Sequence, residues 1–127
     1  MTPLLRKGDA FLIPSGPSGH HMFVVCTGEA PDGSRLLLSI STIREGRYHD
    51  PTCVLEPGIH PFVKVPSFVD YSKAEQRHSA HILKCLDAGL FIGQQRVEEA
   101  VVARILDGIY NSDRTKNWVF DFLRSLE

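Results

Sequence analysis

The sequence lacks any long hydrophobic run. Nowhere in its 127 residues do about 18 consecutive apolar side chains occur, the length that a membrane-spanning helix needs. The segment from Met1 to Lys7 also lacks an apolar run long enough for a secretory signal peptide. These absences favour a cytoplasmic protein that has no membrane contact.

Cysteine is scarce, with three residues in the whole chain: Cys26, Cys53 and Cys85. They are too widely spaced for a disulfide framework, and they include no CxxC pair. This pattern is typical of reduced thiols in the cytosol.

An excess of charge of one sign is missing too, because 14 basic and 15 acidic residues give a formal net charge of -1. This excludes the whole-chain basic excess that is usual in proteins that coat nucleic acid, but it allows a local basic patch. The sequence shows no internal repeat or low-complexity segment. With 43% hydrophobic residues it can bury one core, so we expect a single domain over residues 1–127.

Short apolar segments separated by turns fill the first part of the chain, about residues 8–70. Five of them have the length of strands: Ala10 to Ile13, His21 to Thr27, Arg35 to Ile40, Thr52 to Glu56 and Pro61 to Val65. The turn Pro31-Asp32-Gly33 predicts a hairpin, and the nearly continuous apolar character of the third segment predicts a central strand buried on both faces. Together these features predict a small antiparallel barrel or a strongly bent sheet.

The pattern becomes helical over about residues 72–127. Ser72-Lys73-Ala74-Glu75 fits a capping box, which predicts a helix that begins there and stops at Gly89. A second helix is predicted from about Gln94 to Tyr110, and a short third one around Trp118. One stripe of the second helix is apolar: Val97, Ala100, Val101, Ile105 and Ile109. The predicted class is therefore α+β, with a mainly β front half followed by two to three C-terminal helices.

Four of the six histidines lie in or beside predicted loops of the front half: His20, His21, His49 and His60. Loops on a rigid sheet commonly carry function, and imidazole changes charge near neutral pH. The alternative is that they are ordinary turn or surface residues. His78 and His81 are interpreted as solvent-facing or packing residues of the first helix.

A dense polar segment follows the predicted central strand. Its hydroxyl, guanidinium and imidazole groups would leave the strand end together: Ser41, Thr42, Arg44, Arg47 and His49. The donor fork of arginine matches phosphate oxygens, and histidine can transfer a proton. The segment predicts anion or phosphate binding, with a solvated loop that turns at Asp50-Pro51 as the alternative.

Zinc and thiol chemistry are two further alternatives. His49, Cys53 and His60, completed by His20 or His21, are zinc-ligand types, but their spacing matches no common zinc pattern, so we predict no metal. Cys26 lies within an apolar strand, where a thiolate nucleophile is disfavoured.

The order of elements resembles the small toxins of the MazF/PemK type. The resemblance covers about the first 70 residues and is carried by Lys7-Gly8-Asp9-Ala10-Phe11-Leu12-Ile13-Pro14, His21-Met22-Phe23-Val24-Val25, Leu38-Ser39-Ile40-Ser41-Thr42 and Pro66-Ser67-Phe68-Val69-Asp70-Tyr71. It implies an SH3-like barrel. In that family an arginine of the first loop and a Thr or Ser ending the third strand lie over the scissile phosphate. Thr42 or Ser41 matches the second role, whereas His20-His21 occupies the arginine position.

The resemblance implies a toxin-like, metal-independent endoribonuclease that cleaves single-stranded RNA through the RNA 2'-hydroxyl. On this interpretation no cofactor is needed, an antitoxin protein is a partner, and the chain forms a homodimer. His21 and His49 would transfer protons while Thr42 positions the substrate. Substrate binding would fall to His20, Ser41, Arg44 and Arg47.

The alternative from another class is a non-catalytic barrel that serves as a binding or assembly module. Trp118, Phe120 and Phe122 near the C-terminus favour it, because exposed aromatic side chains often anchor interfaces.

Overall fold

The computed structural model describes residues 5–127, so residues 1–4 of the N-terminal segment discussed above lie outside the described residues. Six strands are present in this part of the chain: β1 Ala10–Pro14, β2 His20–Val25, β3 Ser34–Thr42, β4 Val54–Leu55, β5 Ser67–His78 and β6 Ile92–Gln94. The helices are α1 Ser79–Asp87, α2 Glu99–Asn111 and α3 Asn117–Ser125. The predicted α+β class with helices towards the C-terminus is confirmed.

The six strands form one sheet in the order β4-β5-β3-β2-β1-β6, and each pairing is antiparallel. The sheet curls into a half-barrel. The β2–β3 hairpin turns at Gly33, whose positive φ of 91° suits glycine. The predicted bent antiparallel sheet and its Pro31-Asp32-Gly33 turn are confirmed.

The third strand lies inside the sheet, with β2 on one side and β5 on the other. Residues 34–40 are all buried, as the continuous apolar pattern predicts. The charged residue in that segment, Arg35, is also buried, and its guanidinium donates to Ser79 Oγ (2.9 Å) and to the carbonyl oxygens of Leu5 (2.8 Å) and Thr27 (3.2 Å). Its hydrogen bonds therefore replace the water that burial removes.

Each face of the sheet packs against different helices. On one face, Leu36, Leu38 and Ile40 join the buried side of α2, where Val101, Ile105 and Ile109 lie as the helical stripe predicts. Ala100 is exposed, so its assignment to that stripe is wrong. On the other face, α1 covers a second cluster that includes Phe11, Phe23, Leu37, Ile82 and Cys85.

The helix predicted from Ser72 is wrong. Residues 72–78 continue β5, which pairs with β3 from Ser34 to Thr42 across an irregularity between Leu37 and Ser39. The Ser72 hydroxyl donates to Asp70 Oδ1 at 2.5 Å instead of capping a helix. The helix starts at Ser79, where His78 Nδ1 accepts the Ala80 amide, so pairing with a buried strand outweighs the local capping signal. Gly89, with φ 75°, follows its end as expected.

Two further boundaries differ from the prediction. The strand predicted from Pro61 to Val65 is a turn region, where Pro61 and the following Pro66 cannot donate ladder hydrogen bonds. The second helix begins at Glu99 instead of Gln94, because Ile92–Gln94 pairs with β1 as an edge strand. The sheet therefore extends into the part of the chain that was predicted to be helical. Among residues 5–127, no helix has the length and apolarity to cross a membrane.

Candidate functional site

A cleft of about 340 Å³ opens at one end of the sheet, and strand register explains which residues reach it. Met22 pairs with Ile40, so the start of β2, with His20 and His21, lies beside the end of β3, with Ser41 and Thr42. The end of β3 in turn lies beside the start of β5, because Ser41 pairs with Phe68. The lining residues are His20, His21, Ile40, Ser41, Thr42, Arg44, Arg47, Tyr48, Phe62, Phe68, Asp70 and Lys73.

The cleft thus brings together six of the seven residues that the sequence nominates. His20, His21, Ser41, Thr42, Arg44 and Arg47 all line it. The seventh, His49, is half-buried next to the cleft, and its ring packs at 5.7 Å from the ring of Phe68, which lines the cleft. The imidazoles at the start of β2 and the polar groups at and after the end of β3 therefore share one site.

Basic side chains dominate the charge of the cleft. Arg44 and Arg47 are exposed and flank a tight turn in which the Arg47 amide donates to the Arg44 carbonyl (3.2 Å). Lys73 adds a third cation from β5, with its Nζ 3.8 Å from Asp70 Oδ2. Three cations and one carboxylate among the lining residues leave the cleft positively charged, although the whole chain is close to neutral. This distribution favours an anionic ligand.

His21 has a perturbed pKa in this environment. Partial burial lowers the pKa of its imidazole below the usual value, and the positive charges of Lys73 and Arg44 lower it further, while Asp70 opposes them. A lowered pKa keeps the ring neutral at physiological pH. His21 is therefore in the form that accepts a proton.

Two serine hydroxyls of β3 have no hydrogen-bond partner in the described part of the chain. They are Ser39 Oγ and Ser41 Oγ, both buried. Buried hydroxyls normally find a partner, so the orphaned Ser41 group, whose residue belongs to the cleft wall, is an exception in the described residues. Thr42, the last residue of β3, is exposed beside it.

Asp50 fixes the loop that carries Arg44, Arg47 and Tyr48. It is only 3% exposed, and its carboxylate accepts hydrogen bonds from the Thr52 amide (2.9 Å), the Thr52 hydroxyl (2.6 Å) and the Ser112 hydroxyl (2.5 Å). Burial alone would raise the pKa of Asp50, but the hydrogen bonds from Ser112 and Thr52 outweigh it and lower the pKa. The cleft loop is thereby tied to the C-terminal end of α2, and the interpretation of Asp50-Pro51 as a solvated turn is wrong for Asp50.

Six cleft residues were not nominated from the sequence: Ile40, Tyr48, Phe62, Phe68, Asp70 and Lys73. The helix predicted from Ser72 concealed Lys73. The irregularity in the β3–β5 pairing, where β5 has extra residues between Asp70 and Glu75, allows Lys73 to reach the same site as Asp70. Tyr48 and Phe62 carried a usable signal, since large aromatic residues in polar loop segments often serve as binding groups.

The histidine, cysteine and aromatic residues of the alternative hypotheses have structural surroundings. Both ring nitrogens of His60 are engaged, Nε2 with the Gln95 carbonyl at 2.6 Å and Nδ1 as acceptor of the Phe62 amide at 3.0 Å. Burial raises the pKa of the Cys53 thiol, and it raises that of Cys26 to about 12, so both thiols are protonated. No group of three or more His, Cys, Asp and Glu residues within 5–127 is arranged to hold a metal ion.

The aromatic residues near the C-terminus pack on the protein's own core. Phe122 is buried, and Trp118 and Phe120 are half-buried against the cluster that α2 shares with the sheet. These side chains pack largely within the protein, so they give little support to the hypothesis that the C-terminal segment is an interaction surface.

No family model, no curated protein and no solved structure matches the chain.

Proposed function

We propose that this chain is a metal-independent endoribonuclease of the MazF/PemK type, built on an SH3-like barrel, that binds single-stranded RNA in the cleft and cleaves it. The observation that carries the proposal is the meeting of imidazole, hydroxyl and guanidinium groups from separate elements in one basic cleft. A phosphodiester with an adjacent 2'-hydroxyl is the substrate that uses all three kinds of group.

The cations supply phosphate binding. Arg44 and Arg47 offer permanently charged, forked donors, and Lys73 adds a third positive charge. Charge builds up on the non-bridging oxygens when the 2'-oxygen attacks phosphorus, and prearranged cations in a cleft stabilise that charge more than they stabilise the ground state. The exposed Thr42 hydroxyl, which lines the same cleft, can donate to the same oxygens.

The histidines supply proton transfer. A neutral His21 takes the proton from the RNA 2'-hydroxyl, the 2'-oxygen bonds to phosphorus, and the bond from phosphorus to the 5'-oxygen breaks. His49, in its protonated form, donates a proton to that leaving oxygen. The products are a 2',3'-cyclic phosphate and a 5'-hydroxyl, with all atoms accounted for and no water consumed.

The experiment compares wild type, His21→Ala and His81→Ala on mixed-sequence RNA in EDTA. His81 is an exposed imidazole of α1 outside the cleft, so it controls for loss of a histidine as such. Removing a general base typically costs about 100-fold to 10,000-fold in rate, so we expect His21→Ala to lose cleavage and His81→Ala to keep it. Absence of cleavage by wild type, or equal cleavage by His21→Ala, would reject the proposed activity.

An antitoxin partner and a homodimer belong to the same proposal. Light scattering of the purified chain measures the second directly: a mass of about twice 14.2 kDa is expected, and a monomer would contradict it.

A further inference from the structure

Two large aromatic side chains in the cleft are exposed to solvent. Tyr48 is 66% exposed and Phe62 is 37% exposed, although both line a cleft whose other lining residues are mostly polar. Neither side chain belongs to the hydrophobic core clusters. Exposed aromatic rings that the core does not use, next to cations that bind anions, are typical of sites that hold flat, partly apolar groups.

The loop of Tyr48 is held in place by contacts with the connection between α2 and α3. The Arg114 guanidinium lies over its ring, 4.5 Å from the centroid, and the Arg114 amide donates to Ser112 Oγ at 3.0 Å. The Ser112 hydroxyl in turn donates to Asp50, two residues after Tyr48. The connection between α2 and α3 therefore holds both the ring and its backbone, which lowers the entropic cost of stacking a ligand on it.

The loop of Phe62 is anchored as well. The Phe62 amide donates to Nδ1 of the buried His60, whose Nε2 contacts the Gln95 carbonyl. Val63, the next residue, is buried in the core, and its amide donates to the His60 carbonyl at 2.9 Å. Phe62 is thus displayed at the cleft by a fixed backbone.

We propose that Tyr48 and Phe62 form a nucleobase-binding subsite beside the phosphate-binding arginines, so that the cleft takes a nucleotide whose base is unpaired and stacked on these rings. The inference rests on the proposed function, because it names the part of a single-stranded RNA that this cleft recognises. Bases inside a duplex present no free face, whereas every unpaired base has a π-face for an aromatic ring. The subsite therefore selects single strands and tolerates several base identities.

The test uses 2'-O-methyl RNA oligomers, which cannot be cleaved through the 2'-oxygen, with binding measured by fluorescence anisotropy. One oligomer carries bases and a second of equal length is abasic, so the two differ only in what a stacking subsite would hold. The variants are Tyr48→Ala, Tyr48→Phe, Phe62→Ala and Arg44→Ala, and circular dichroism establishes that each is folded.

We expect Tyr48→Ala and Phe62→Ala to bind the base-containing oligomer about 5-fold to 100-fold more weakly, the loss that corresponds to one stacked base. The abasic oligomer should bind the two alanine variants and wild type equally. Tyr48→Phe keeps the ring and should keep the affinity. Arg44→Ala should weaken binding of both oligomers, because it removes a phosphate contact.

Unchanged affinity of Tyr48→Ala and Phe62→Ala for the base-containing oligomer would overturn the subsite, and so would an equal loss on both oligomers. Failure of the proposed nuclease has a different signature. Base-dependent binding without cleavage of ordinary RNA would reject the nuclease and keep the subsite. Cleavage of ordinary RNA at the wild-type rate by both Tyr48→Ala and Phe62→Ala would reject the subsite and keep the nuclease. Absence of binding to either oligomer would overturn the subsite as well.

Discussion

Replacing Asp50 by alanine should loosen the cleft from the C-terminal helices. The carboxylate of this nearly buried residue accepts three hydrogen bonds, two from Thr52 and one from Ser112. Hydrogen bonds to a charged group contribute about 1.5 to 3 kcal/mol each, but the contributions overlap and water reaches part of the vacated space. We therefore expect the free energy of unfolding to fall by about 3 kcal/mol, a large share of the roughly 5 to 15 kcal/mol that holds a domain folded.

Urea unfolding followed by circular dichroism measures this change. With a denaturant slope of about 1 to 3 kcal/mol per molar, the midpoint should drop by about 1 to 3 M. Asp113→Ala is the matched control, because Asp113 is an exposed acid of the same connection between α2 and α3. If Asp50→Ala and Asp113→Ala unfold within about 0.5 kcal/mol of each other, the anchoring role of Asp50 is refuted.

The stabilisation from Asp50 also has a defined pH dependence. Because folding lowers the pKa of this carboxyl, its contribution is complete above the unfolded value of about 3.9 and is lost as the pH falls through the lower folded value. The difference in unfolding free energy between wild type and Asp50→Asn should therefore be constant near neutral pH and should shrink below about pH 4. A difference that grows on acidification would contradict the assigned direction.

Two further predictions concern the core and the cleft. Gly108→Ala should lower the free energy of unfolding by about 2 to 4 kcal/mol in urea, despite the better helix propensity of alanine. A Cβ at this position would lie 1.9 Å from Tyr71 Oη. It would therefore displace the Tyr71 hydroxyl from the Ile105 carbonyl, to which it donates at 2.8 Å. A variant more stable than wild type would refute this. The His21 imidazole, followed by NMR, should titrate below about pH 6.5, and Lys73→Gln should move its midpoint upwards because a positive neighbour is removed; a downward shift would contradict the electrostatic assignment.

Much of the sheet could be predicted because its signals are local. The first three strands each combine an apolar run with a turn that only certain residues form, and Gly33 lies where a positive φ is needed. The buried stripe of α2 is equally local, since helical spacing alone places Val101, Ile105 and Ile109 on one side. These elements required no knowledge of distant partners.

The errors arose where a distant partner decides the structure. Ser72 to Glu75 satisfies a helix-start pattern, yet β3 offers this segment a ladder of hydrogen bonds that the local pattern cannot reveal. The segment Ile92–Gln94 is too short to be recognised as a strand from alternation of apolar and polar residues. It forms a strand because it pairs with the free edge of β1. In both cases tertiary pairing overrides local propensity.

The cleft contains residues of both kinds, those that local signals place and those that a distant partner places. Consecutive strands commonly pair antiparallel, so it could be predicted that the start of β2 would lie beside the end of β3. This pairing places His21 and Ser41 in the same cleft. The contribution of β5 was not predictable in the same way, because it depends on where a long strand bends around its partner. Lys73 and Asp70, which set the electrostatic surroundings of His21, therefore came only from the structure.

The position of the cations bears on how this cleft would work as a nuclease. The resemblance leads one to expect a permanent charge just before β2, where this chain has His20 and His21 instead. In the structure the positive charges of the cleft come from other elements, from Arg44 and Arg47 after β3 and from Lys73 on β5. In the proposed nuclease, phosphate binding and proton transfer would fall to separate side chains, because an imidazole that does not hold the anion can stay neutral and accept a proton. The same cations that would bind the phosphate lower the pKa of His21, so neutralising Lys73 should weaken substrate binding and, at the same time, shift the acidic limb of the pH–rate profile towards neutral pH.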